Sequence, residues 1–284
     1  MGAGDGAIFT RGRAEVNGLT VQYLQGGTAR DVEPVLYLHG LRGGEKWESF
    51  HMAMGTVTHT VAPMLPGFAT GEPVSLLTSI EDYASLVTGF VEAVGLDRAV
   101  LVGHSSGGWI AQYLATRYPE RFSRLVLIDP MGLDVPDAPA VDLAALDEEA
   151  FARLAFGKLG MVATANPYGF GAEWESVRSG QEFERQWKGR NLVTGLAAGR
   201  YGDPSLTSAI RSVKLPTLLL WGRLDGIVPF RHGELLHEWI PGSRLEVIER
   251  AGHLPMVERP ETVNRLVRNF LVGVQEAIPE VVSL

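Results

Sequence analysis

The sequence contains no cysteine, which excludes disulfides, thiolate metal sites and a cysteine nucleophile. Long hydrophobic runs are also missing. The longest, such as LVLI at 125–128 and TLLLW at 217–221, are strand-sized and too short to cross a bilayer. Positive charge is in the minority, with 25 Lys and Arg against 33 Asp and Glu, a net charge of −8. That balance favours solubility and argues against a surface that tracks nucleic-acid phosphates. The opening MGAGDGAIFTRGR has no apolar segment of the kind a signal peptide needs, and Gly6 stands where N-myristoylation requires Ser or Thr. Internal repeats and low-complexity tracts are absent. The expectation is a cytoplasmic protein with neither a membrane nor a nucleic-acid partner. For oligomeric state the sequence carries no signal.

What is present is the composition of a globular domain: 284 residues, 45% hydrophobic and 20% charged. Short apolar runs alternate with helical patterns. AEVNGLTVQYLQ (14–25) places Asn17-Gly18 between alternating apolar residues, a hairpin signal. PVLYLHG (34–40), AVLVGHS (99–105), RLVLIDP (124–130) and PTLLLWG (216–222) are continuous apolar runs that end near Gly or Pro, as strands buried on both faces do. In SIEDYASLVTGFVEAVG (79–95), Ile80, Tyr83, Ala84, Val87, Phe90, Val91 and Val94 recur at helical spacing. Ser79 and Asp82 form an acidic capping box at its start, and Gly95 ends it. Such alternation predicts an α/β fold with a mainly parallel sheet. From Met131 to Ser212 the rhythm breaks. A Pro- and Asp-rich connector, MGLDVPDAPAVD, leads into helical patterns without a convincing buried strand. The expected organisation is a core of residues 1–130 and 213–284 carrying a helical cap, 131–212.

Residues 103–107 read Gly-His-Ser-Ser-Gly and fit G-x-S-x-G with Ser105 at the centre; a register on Ser106 fails because His104 would have to be Gly. In isolation this pentapeptide serves equally as a linker or a helix cap. Here it follows VLV and precedes WIAQYLA, the strand–turn–helix setting that presents a nucleophile. A serine hydroxyl needs a base, and the base needs an orienting group. Of the seven histidines, His253 lies on a loop between a strand-like run and a Pro-started helix. His232 and His237, five apart, are out of register for one helical face, so no metal site is expected there. Asp225 just past a buried strand is the leading acid, and Asp129 at the end of another is its competitor. The order Ser105, Asp225, His253 is that of α/β-hydrolase triads. HGLRGG (39–44) offers the backbone N–H of Leu41 as an oxyanion donor, held by Gly40 and His39, and Ser106 N–H is the second.

LYLHGLRGG, APMLPGFATGE, LVGHSSGGWIAQYLATRYPERFSRLVLIDP, LLLWGRLDGIVP and RAGHLPMVERPETVNRLVRNFL together resemble the α/β-hydrolase superfamily from about Ala14 to Phe270. The resemblance implies an eight-stranded, mostly parallel sheet flanked by helices, an inserted helical cap, a Ser–His–Asp triad and no cofactor. Two departures stand out: Met64 where many relatives have an acid before Pro-Gly-Phe, and Leu254 where carbon–carbon-bond hydrolases of this fold often carry Trp. The expected activity is hydrolysis of a small, largely apolar carboxylic ester or lactone through an acyl-enzyme. Carbon–carbon-bond hydrolase or lyase chemistry on the same triad is the alternative, and a non-enzymatic small-ligand receptor a further one. His39, Trp109, Trp187 and Leu254 are the candidates to line the substrate pocket.

Overall fold

The computed structural model describes residues 9–28, 32–41, 43–68, 75–156, 181–197 and 199–274; the side chains of 148, 149, 152 and 181–188 lie outside that description. Asn17 and Gly18 both take positive φ, 51° and 81°, which turns β1 (Phe9–Val16) back onto β2 (Leu19–Gly26) as an antiparallel hairpin. β3 (Val35–Leu38), β5 (Ala99–His104), β6 (Phe122–Ile128) and β9 (Thr217–Gly222) occupy the apolar runs and are almost wholly buried. Each fully buried Leu or Val there contributes about 1.5–3 kcal/mol relative to exposure. With β4 (Thr60–Pro63) and β10 (Arg244–Ile248) they complete an eight-stranded sheet of order β1-β2-β4-β3-β5-β6-β9-β10. All pairings are parallel except the two made by β2.

Helices flank the sheet. α1 (Ser49–Gly55) packs on α9 (Pro260–Val272), and α2 (Ile80–Ala93) packs on α3 (Ser106–Arg117). The α2 capping box forms as its sequence implies: Ser79 Oγ accepts from Asp82 N–H at 3.1 Å while Asp82 Oδ2 accepts from Ser79 N–H at 2.9 Å. Among the described residues no helix is long and apolar enough to cross a membrane.

Between β6 and β9 the described residues are mainly helical, with α4 (Glu148–Ala155), α5 (Gln181–Ala197) and α6 (Pro204–Ala209). One feature there departs from expectation. β7 (Gly132–Leu133) and β8 (Gly202–Asp203) form a two-residue parallel pair that ties the start of the segment to its end. A strand of two residues has no periodicity, so no sequence pattern announces it. The remaining helices, α7 (Arg231–Trp239) and α8 (Pro255–Glu258), follow β9 and β10.

Candidate active site

β5 delivers Ser105 into a turn that α3 leaves at once. Ser105 holds φ 54° and ψ −119°, a conformation L-residues avoid, at a cost of about 1–3 kcal/mol. Its carbonyl accepts from Trp109 N–H at 3.0 Å and Met131 N–H at 3.1 Å, and its own N–H reaches the Ile128 carbonyl at 3.1 Å. The turn is this tight only because residues 103 and 107 are glycine. A β-carbon on Gly103 would overlap the Gly107 carbonyl, and one on Gly107 the Leu38 carbonyl. The first N–H groups of α3 have no partner within the helix, so a partial positive charge collects beside Ser105.

The loops after β9 and β10 meet over this turn. His253 Nε2 lies 2.8 Å from Ser105 Oγ, and His253 Nδ1 lies 2.8 Å from Asp225 Oδ2. The Asp225 side chain is fully buried, and its other oxygen, Oδ1, accepts from Ile227 N–H at 2.7 Å and Val228 N–H at 3.0 Å. Since the carboxylate accepts from Nδ1–H, Nε2 is left to accept from the serine hydroxyl. Three further contacts hold the loops: His253 N–H to the Ala155 carbonyl at 2.7 Å, Gly226 N–H to Leu154 at 2.9 Å, and His104 Nε2 to the His253 carbonyl at 2.9 Å. The end of α4 thus grips both loops, a role no sequence signal marks.

His39, expected at the pocket wall, is instead a buried strut. Leu65 N–H donates to Nε2 at 3.0 Å, so Nδ1 carries the proton and donates to the Gly40 carbonyl at 2.8 Å. Burial pushes its pKa down to about 4, keeping the ring neutral. Neither nitrogen remains for a ligand. Gly43 N–H also reaches the Gly40 carbonyl, at 3.2 Å. Because the 40–41 peptide is planar and trans, fixing that carbonyl fixes the Leu41 N–H in the opposite direction. The loop passes directly beside the nucleophile turn, where a β-carbon on Gly40 would stand 3.1 Å from that of Ser105. Among the described residues neither Leu41 N–H nor Ser106 N–H has an acceptor.

The other pocket candidates fare differently. Trp109 is buried and lines a groove of about 440 Å³ with Tyr113, Leu196 and Arg200, between α3 and the segment that joins β6 to β9. Leu254 is buried at the start of α8 beside His253. The Trp187 side chain lies outside the described residues. His232 and His237 do not converge: Nε2 of the first meets the Ala138 carbonyl and Nδ1 of the second meets Ser243 Oγ. Among the described residues, the three side chains whose ligand atoms could share a cation are Asp129, Asp225 and His253, within 4.8 Å of one another.

Sequence reasoning missed Glu258. Its Oε1 accepts from Gly252 N–H at 2.8 Å, bracing the residue before His253, and burial pushes its pKa up from 4.5 to about 7. Between those values the folded chain holds a proton that the unfolded chain releases, so this group's stabilisation falls as pH rises through the window. Glu258→Gln keeps an oxygen for Gly252 and removes the titration. Urea unfolding across this range should show the variant gaining on the wild type with rising pH, by about 1–3 kcal/mol in total. Parallel stability curves would contradict this.

Comparison with known proteins agrees with this architecture. Residues 35–266 match the alpha/beta hydrolase family. A 2-hydroxymuconate semialdehyde hydrolase of Pseudomonas putida is 31% identical over 228 residues, 74% of this chain and 76% of that protein. Another, from Pseudomonas sp. (strain CF600), is 28% identical over 265 residues, 86% of this chain and 88% of the relative. Among solved structures, a thermophilic esterase superposes with a TM-score of 0.71 at 26% identity, covering 95% of this chain and all of that one (100%). With the parallel sheet, the strained serine turn and the family match over most of its length, the chain belongs to the alpha/beta hydrolase family.

Proposed function

We propose that this protein is a serine hydrolase that cleaves a small, largely apolar carboxylic ester or lactone. The observation that carries the reading is the unbroken relay from Ser105 Oγ through His253 to Asp225, with both links at 2.8 Å. Ser105 Oγ attacks the carbonyl carbon as His253 Nε2 takes its proton. Asp225 holds the Nδ1–H and stabilises the imidazolium. Leu41 and Ser106 N–H groups receive the developing oxyanion, each donor contributing about 2.7–4 kcal/mol to the transition state. His253 then protonates the leaving alcohol, and a water it activates releases the acyl group from Ser105.

Hydrolysis of a carbon–carbon bond on the same relay is the second reading, favoured by the names of the relatives, which are 2-hydroxymuconate semialdehyde hydrolases. Leu254 beside His253 favours the ester reading. Parallel assays with a chromogenic short-chain ester series, a lactone series and 2-hydroxymuconate semialdehyde decide between the two. Ester or lactone kcat/KM should exceed that for the semialdehyde, and the reverse order would establish the second reading.

The inserted segment bears on the oxyanion loop. α5 packs so closely there that a β-carbon on Gly189 would overlap the Leu41 carbonyl. Gly189→Val should therefore push Leu41 out of line and lower kcat about 10²-fold, the usual result of an ångström-scale misplacement. Wild-type kcat in that variant would remove Leu41 from the oxyanion site.

A further inference from the structure

Asp129, the competing acid, is fully buried at the end of β6 with φ 42°. Its Oδ1 accepts from Gly222 N–H at 2.9 Å. Its Oδ2 is buried and meets no hydrogen-bond donor among the described residues, although the carboxyl lies within 4.8 Å of Asp225 and His253. Two buried ionised carboxylates so placed repel strongly, and one of them has to hold a proton. Donor counting decides which. Asp225 is held by three N–H groups, those of Ile227, Val228 and His253, whereas Asp129 is held by one. The negative charge therefore rests on Asp225.

We propose that Asp129 is a positioning residue for the triad: a protonated carboxylic acid whose Oδ2–H donates to Asp225 and fixes that carboxylate against His253. This accounts for the unmatched oxygen. Burial, then the charge of Asp225, hold the Asp129 carboxyl well above the usual carboxylate range. The charged and titratable groups facing the pair are His253, Glu258 on α8 and His232 on α7. A neutral Asp129 matters to the base. A second negative charge here would over-stabilise the imidazolium, so that His253 would be protonated before it could accept the serine proton.

The inference rests on the triad reading above, and the test keeps the two apart. Asp129→Asn presents an oxygen to Gly222 and an N–H to Asp225, neutral for neutral, so kcat/KM should stay within about threefold and the acid limb of its pH profile should not move. Asp129→Leu keeps the bulk without the donor and should lower kcat about 10- to 100-fold. An infrared difference spectrum needs no turnover. Recorded in the Ser105→Ala background at about pH 8.5, where Glu258 is ionised, it should show a protonated-carboxyl band that Asp129→Asn abolishes. Three results would overturn the proposal: no such band, an acid limb displaced downward in Asp129→Asn, or one divalent cation per chain by elemental analysis, since a cation would then occupy the proton's place.

Discussion

Ser105→Ala is expected to lower kcat by about 10⁶, because removing the nucleophile of such a unit costs as much as removing the unit. The fold should be untouched, with unfolding free energy changing by no more than about 1 kcal/mol, since the substitution keeps the β-carbon and the backbone of the turn. Ser106→Ala is the internal control. Its Oγ is buried and without a hydrogen-bond partner among the described residues, and its backbone N–H, the atom assigned to the oxyanion, survives the change. It should keep most of its activity. Steady-state assays on both variants check this, and equal losses would mean that the nucleophile has been placed one residue out of register.

Asp225→Asn should lower kcat by about 10⁴, the effect of enforcing the wrong imidazole tautomer. The surrounding hydrogen bonds dictate that outcome. Ile227 and Val228 N–H groups donate to Oδ1, so an asparagine keeps its carbonyl oxygen there and turns its amide N–H toward His253 Nδ1. Nδ1 must then accept, the proton moves to Nε2, and the base can no longer take a proton from Ser105. The kcat of Asp225→Asn, set beside that of Asp129→Asn, measures the distinction between two aspartates that both end buried strands. Loss confined to Asp129→Asn would transfer the acid to β6.

That pair of aspartates also marks where the sequence stops being legible. The four inner strands could be read because burial on both faces leaves continuous apolar runs, and α2 because its capping box and apolar stripe are local. Ser105 could be read because a strained turn between strand and helix demands glycine at 103 and 107. β4 escapes notice because Thr60 and Pro63 leave it no continuous apolar run, and the β7–β8 pair because its partners are 70 positions apart. The choice of Asp225 over Asp129 depends on how two loops cross, which neither loop encodes alone. His39 has a similar history. Its place in HGLRGG points to a role in holding the Leu41 loop, but its second partner, the Leu65 N–H, is reached only once β3 and β4 lie side by side.

The most direct measurement is rapid quenching of the wild-type protein with a chromogenic short-chain ester, followed by intact mass and peptide mapping. A burst of alcohol equal to the protein concentration is expected, with an acyl adduct on the peptide carrying Ser105. Turnover that proceeds with no adduct, or with one on another residue, would contradict this.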